Sequence, residues 1–298
     1  MFIASNGGLT AGRKNADNAL FPYYTDDKIT ESIEHTGSIT IVKVIMSDKT
    51  LLWEPFSNKY KGLYRIERNL YKNEYGNKLI FEEHNLDLEL SYRYEWNTSD
   101  KYGFVRKSNI SNQSKKSQEI SILDGLQNII PYSVGEELQK ASSNLVDAYK
   151  RNELVHKSGI GIYALSATIV DKAEPSEALS SNIVWSLGLS KPTYLVSSRQ
   201  LDNFRNGEDV VQEEDVKAER GAYIATQTVA LKPGTSQNWM MIANTNQSIS
   251  NITEIEKSIA SSSNLKELVQ EDIDKGTKEL LKLANSADAM QLTADKLR

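Results

Sequence analysis

LDLELSYRYEW, Leu86 to Trp96, is the stretch whose reading decides the fold. Leu86, Leu88, Leu90, Tyr92, Tyr94 and Trp96 alternate with Asp87, Glu89, Ser91, Arg93 and Glu95. Successive side chains on a strand point to opposite faces, so this period of two sends one set to a core and the other to water. A strand wet on one face belongs to an antiparallel sheet. The preceding LYRIERNLYKNEYGNKLIFEEH (63–84) carries a turn signal at Tyr75-Gly76-Asn77 and reads as a hairpin.

Working outward, strand patterns recur at short spacing. They are SITIVKVIM (38–46), FVRKSNIS (104–111), QEISILDGL (118–126), GIYALSATIV (161–170), SNIVWSLGL (181–189), YIATQTVALKPG (223–234) and NWMMIANT (238–245). Many strands with few helices between them predict a mainly β chain, a large antiparallel β-sandwich rather than a βαβ sheet. In GEELQKASSNLVDAYKRNEL, Leu138, Ala141, Leu145, Ala148 and Tyr149 recur at helical spacing and predict an inserted helix near 136–152. RQLDNFRNG adds a short helical turn, and EDVVQEEDVKAE (208–219) reads as a solvated loop or irregular helix.

The sandwich is expected over residues 1–247, and 248–298 as C-terminal linker helices. Asn251 with Glu254, and Asn264 with Glu267, have the spacing of helix N-terminal caps. Beyond them Leu268, Val269, Ile273, Leu280, Leu283, Ala284 and Ala287 form one apolar face. Such a face needs a partner surface, and the expectation is polypeptide downstream of this chain.

Composition excludes several function classes. With no cysteine there is no disulfide or thiolate chemistry, which fits a reducing, cytoplasmic location, or a periplasmic one if a signal segment preceded the chain. A net charge of −5 gives no field for nucleic acid or an anionic membrane, and no run of about 18 apolar residues could span a bilayer. His35, His84 and His156 are dozens of residues apart, with no metal-ligand spacing. Walker, GxGxxG and GxSxG patterns are absent. No cofactor and no metal are expected.

Carboxylates and aromatic rings remain, the groups a sugar site uses. Asp26 and Asp27 in FPYYTDDK are neighbours, as are Glu82 and Glu83. Neighbours on a strand face opposite ways and cannot flank one bond as a catalytic pair. The loop DKAEPSEALSS (171–181) offers Asp171 and Glu174, with Pro175 holding Glu174 extended. Tyr23 and Tyr24 lie on a leader where exposure or an interface is expected. Trp53, Trp96, Trp185 and Trp239 are stacking candidates, Trp96 and Trp185 reading as core. The candidates for binding or an interface are thus Tyr23, Tyr24, Asp26, Asp27, Asp171 and Glu174, with no catalytic residue assigned.

Several stretches together resemble a known group: ASNGGLTAGRKNADNALFPYYTDDKI (4–29), FVRKSNISN (104–112), EISILDGLQNIIPYSV (119–134), SSNLVDAYKRNEL (142–154), IVDKAEPSEALSSNIVW (169–185) and DAMQLTADKLR (288–298). They are similar to the N-terminal region of large bacterial carbohydrate enzymes related to cellobiose phosphorylase, the glycosyltransferase 36-like group. None is a catalytic signature. The resemblance implies a galactose-mutarotase-like β-supersandwich, linker helices and then an (α/α) barrel that carries the general acid. This chain would hold the sandwich and linker. Its implied partners are carbohydrate through the parent enzyme, its own downstream catalytic domain and a second copy in a homodimer. A free-standing sugar-binding module and a mutarotase-like enzyme are the alternatives; the latter would pair His84 or His156 with Glu174.

Overall fold

The alternating stretch divides in two. Residues 86–89 form a turn, with Glu89 at φ 51°, and the strand runs Leu90–Ser99. Within it Tyr92, Tyr94 and Trp96 are buried on the inner face, while Arg93 is exposed and Glu95 half-buried on the other. Leu86 sits in the turn and is exposed.

A computed structural model describes residues 1–13, 18–22, 26–135, 137–138, 143–167, 169 and 178–287. In chain order its strands are β1 (Phe2–Ile3), β2 (Leu9–Thr10), β3 (Gly37–Ile45), β4 (Thr50–Trp53), β5 (Ile66–Lys72), β6 (Leu79–Asn85), β7 (Leu90–Ser99) and β8 (Gly103–Asn112). They continue as β9 (Gln118–Ile129), β10 (Lys150–Val155), β11 (Ile160–Leu165), β12 (Ser181–Leu187), β13 (Thr193–Leu195), β14 (Asp215–Lys217), β15 (Gly221–Leu231) and β16 (Ser236–Gln247). The helices are α1 (Asp26–Glu31), α2 (Ser143–Tyr149), α3 (Leu201–Arg205), α4 (Ile249–Ser261) and α5 (Leu265–Ser286).

Two antiparallel sheets make the sandwich. One has nine strands in the order β14-β10-β11-β12-β16-β8-β7-β6-β5, and the other five, β13-β15-β9-β3-β4. The mainly β, antiparallel fold expected from the alternation is therefore present. Between the sheets lie Val42, Trp53, Ile120, Ile122 and Tyr223 from one side and Phe81, Tyr92, Tyr94, Trp96 and Trp239 from the other. Central strands are buried on both faces. On β3, Val42 and Val44 point inward while Ile39 and Ile41 meet Leu201 and Phe204 of α3. On β16, Trp239 and Met241 face the inter-sheet core, and Met240 and Ile242 face α4 and α5. That is why SITIVKVI and WMMIA read as near-continuous apolar runs.

A charged pair spans the sandwich. Arg106 of β8 and Asp124 of β9 are 2.9 Å apart and essentially unexposed. Asp124 also accepts hydrogen bonds from Trp239 Nε1 (2.6 Å), Thr40 Oγ1 (2.6 Å) and the Tyr92 hydroxyl (2.9 Å). Burial opposes the Arg106 charge most strongly, but Asp124, Tyr92 and Tyr94 together outweigh it and the guanidinium pKa is raised. Burial also drives the Tyr92 hydroxyl pKa far up, so that side chain stays neutral and donates.

Several expectations are corrected. The helical spacing of 136–152 does not run through: α2 ends at Tyr149, and Lys150–Val155 is a strand between β11 and β14. Its inward positions are Lys150, Asn152 and Leu154, so the period of two is written mostly in polar residues. β14 likewise lies within the acidic segment read as loop. The second correction concerns the C-terminal apolar face. Leu265, Val269 and Ile273 of α5, spaced by four, are buried with Ile252 of α4 against Val105, Ile183, Trp185 and Ile242 of the chain's own nine-stranded sheet. Burial of each such side chain contributes about 1.5–3 kcal/mol. Asp272 fastens the helix by accepting from the Ser99 hydroxyl and from Lys101 N (3.1 Å). Only farther along does the face open, with Leu283 68% exposed. The caps also differ. Ser248 caps α4 in a reciprocal box with Asn251, and Asn264 precedes α5 without a side-chain cap bond.

Candidate functional site

Of the residues singled out in the sequence, Tyr23, Tyr24, Asp171 and Glu174 lie outside the described residues. Asp26 and Asp27 open α1, and their side chains lie outside the description too. Trp53 and Trp239, named as stacking candidates, are almost fully buried, like Trp96 and Trp185.

The structure assembles a different constellation where the sandwich edge strands meet. β4 is the edge of the five-stranded sheet and β5 the edge of the nine-stranded one. The connection between them, Glu54-Pro-Phe-Ser-Asn-Lys-Tyr-Lys-Gly-Leu-Tyr-Arg65, crosses from sheet to sheet. It walls a cleft of about 360 Å³ with Trp53 and Glu83 among its lining. Pockets for small ligands fall in the range of roughly 300–1,000 Å³.

Glu83 organises the floor. Its carboxylate is buried and accepts from Trp53 Nε1 (2.8 Å), Phe56 N (2.7 Å) and Arg68 Nε (2.6 Å). The Arg68 guanidinium continues to Asn58 Oδ1 (3.1 Å) and the Ser57 carbonyl (2.8 Å), so one acid pins both ends of the turn. Phe56 is held at φ 65°, a left-handed conformation rare for a bulky side chain. Its N–H bond to Glu83 and edge-on packing against Phe81 and Tyr94, at 6.0 and 5.3 Å, keep it there. Glu54 is also buried, clamped by Arg205 Nε (2.7 Å) and Nη2 (3.0 Å).

The wall is aromatic. Tyr60 is 37% exposed, and its hydroxyl is pushed up in pKa by burial and then by the charge of Glu54. Tyr64, half-buried, donates to the Leu52 carbonyl at 3.0 Å. Both rings line the cleft, with the Tyr64 hydroxyl tied down. This arrangement is suited to stacking on a flat apolar surface such as the CH face of a sugar.

Glu82 and Glu83 point to opposite faces, as their adjacency on a strand requires. Outside the sandwich Glu82 accepts from Tyr71 (3.1 Å) and lies 3.0 Å from His84 Nε2. Partial burial works to raise the Glu82 pKa, but bonds from Tyr71, Asn69 and His84 hold its carboxyl below the usual range. This acid–histidine pair stands on an open sheet face, and no histidine lines the cleft. His156 contacts Gln212 (2.9 Å) and Glu214 (3.6 Å) on the exposed surface. Among the described residues no group of three or more His, Cys, Asp and Glu could hold a metal, and no helix is long and apolar enough to cross a membrane.

Sequence reasoning missed this site because it left residues 54–62 unread. The available signal was WEPFSNKYKGLY (53–64): three aromatics besides the tryptophan, with Pro, Asn and Gly, between two strands.

No family model matches the chain, and no curated protein does. Solved structures do resemble it. A bacterial glucoamylase complexed with acarbose aligns at 8% identity and TM-score 0.47, over 83% of this chain and 31% of its own. A putative kojibiose phosphorylase from the human microbiome aligns at 10% identity and TM-score 0.45, over 80% and 27%. A GalM/aldose epimerase homologue from C. elegans aligns at 9% identity and TM-score 0.41, over 82% and 94%. The chain thus spans about a third or less of the first two.

Proposed function

We propose that the chain is a non-catalytic, carbohydrate-binding sandwich domain of a larger glycoside phosphorylase- or hydrolase-like enzyme, and that sugar lies in the cleft between β4 and β5. The observation that supports this reading is the pairing of an exposed ring, Tyr60, and a half-buried one, Tyr64, with a rigid polar floor of Glu54 and Glu83. A binding role suits the carboxylates better than bond cleavage. Both Glu54 and Glu83 have their oxygens taken up by arginine, amide or indole donors, so neither is free to give or take a proton at a substrate. The open distal turns of α5 are the surface we assign to the parent's catalytic domain.

Isothermal titration with oligosaccharides tests the reading. Tyr60→Ala removes a stacking face worth about 1 kcal/mol and should weaken binding roughly fivefold without changing the fold. Binding that ignores Tyr60→Ala, or turnover by the isolated chain, would contradict it.

A further inference from the structure

We propose that β5 is a dimer seam: it pairs antiparallel with β5 of a second copy of this chain and joins the two nine-stranded sheets across a two-fold axis. An open sheet edge offers a row of unpaired backbone groups, and folded proteins blunt such edges by keeping them short, charged or covered. Among the described residues, three of the four edges of the large sheets are short. β13 and β14 have three residues each, with Asp215 and Lys217 flanking the centre of β14, and β4 has four. β5 has seven, without proline or glycine, and every one from Glu67 to Lys72 is exposed. Leu70 and Tyr71, on opposite faces of the strand, are 45% and 46% exposed, and Leu63, Tyr75 and Leu86 are exposed beside its two ends. This edge is both long and apolar.

Its backbone is turned outward in a regular way. Leu86 N donates to the Arg65 carbonyl, in step with the β5–β6 register. Bonding alternates along an antiparallel pair, so Glu67, Asn69 and Tyr71 direct their N–H and C=O groups to β6. Those of Ile66, Arg68, Leu70 and Lys72 point away from the sheet, and none has a backbone partner among the described residues.

The residues of β5 select the occupant and the register. A symmetric dimer uses the same patch twice, and side chains opposite one another must share a face. With the axis at Asn69 all seven residues pair: Asn69 with its own copy, Arg68 with Leu70, Glu67 with Tyr71 and Ile66 with Lys72. Arg68–Leu70 and Ile66–Lys72 are then the hydrogen-bonded pairs, and every outward N–H and C=O is satisfied. No like charges face each other, and Arg68 keeps its side chain on buried Glu83 at 2.6 Å. Moving the axis to Arg68 or to Leu70 sets Arg68 against its own copy or against Lys72, which is destabilising.

Sedimentation velocity and light scattering of the full chain test this, and should show a reversible dimer. Leu70→Lys brings an ammonium opposite Arg68 of the second copy twice per dimer and should weaken association about tenfold, with circular dichroism unchanged. The chain has no cysteine, so Asn69→Cys can form a disulfide only between chains. The two copies of that position would be a non-hydrogen-bonded pair about 4.5 Å apart, a separation a disulfide bridges. Mild oxidation should therefore link Asn69→Cys chains and leave Tyr71→Cys chains, which the register holds apart, unlinked. A monomer at every concentration would overturn the proposal and leave the edge to a strand of another polypeptide. A dimer that ignores Leu70→Lys, or that links through Tyr71→Cys and not Asn69→Cys, would overturn the seam as assigned.

Discussion

Removing Asp124 should cost far more than removing its partner Arg106, and the structure says why. Arg106 is fully buried, its Nε has no partner, and Asp124 is its only carboxylate contact among the described residues. In Asp124→Ala the guanidinium keeps bonds to the Tyr92 hydroxyl (2.6 Å), the Gly125 carbonyl (3.1 Å) and Thr40 (3.3 Å), but no counter-charge. The indole N–H of Trp239 is orphaned as well. Breaking a buried pair from one side costs about 3–5 kcal/mol, and each orphaned donor pushes toward the upper end. In Arg106→Met the carboxylate still accepts from Thr40, Tyr92, Ser108 and Trp239, so the expected cost is about 1–3 kcal/mol. Domains have about 5–15 kcal/mol of stability in all, so the first variant should be near unfolding while the second is not. Urea unfolding followed by tryptophan fluorescence and far-ultraviolet circular dichroism reads both values. If Arg106→Met proves the worse variant, or Asp124→Ala costs under about 1 kcal/mol, the buried network does not hold the sheets as described.

Gly125→Ala should destabilise the sandwich by about 1–3 kcal/mol, since the added Cβ would sit 2.3 Å from the Tyr223 carbonyl oxygen of the paired strand; an unchanged melting temperature would refute the close approach. Docking of α5 should be acid-sensitive. Although burial works to raise the Asp272 pKa, bonds from Ser99 and Lys101 hold it below the usual carboxylate value. A depressed folded-state pKa means the contribution is fully present above about pH 4 to 5 and is lost as pH falls through the lowered value. Hydrogen exchange should therefore show α5 amides losing protection below about pH 4 before the sheet does, and Asp272→Asn should abolish that step. Equal loss in the variant would show that another group carries the acid response.

The antiparallel sandwich was legible where burial is one-sided or complete in apolar residues. Tyr92, Tyr94 and Trp96 announced β7, and the Tyr75-Gly76-Asn77 turn announced the β5–β6 hairpin. β10 was not legible because Lys150 and Asn152 occupy its inward positions, where Asn152 bonds the Glu219 carbonyl at 3.2 Å instead of packing as a hydrophobe. The partner of the C-terminal apolar face could not be read either: periodicity shows that Leu265, Val269 and Ile273 share a face, not which sheet surface 20 or more residues upstream receives it. The cleft escaped for a related reason. Its floor residue Glu83 is joined to the β4–β5 connection through Arg68 and the Phe56 amide, contacts that only the juxtaposition of two sheet edges creates.

The most direct test of the central claim is a crystal structure of the chain soaked with an oligosaccharide. The account predicts a sugar ring stacked on Tyr60 or Tyr64 in the β4–β5 cleft. A ring seated instead on the open sheet face beside Glu82 and His84, with the β4–β5 cleft empty at saturating sugar, would contradict it.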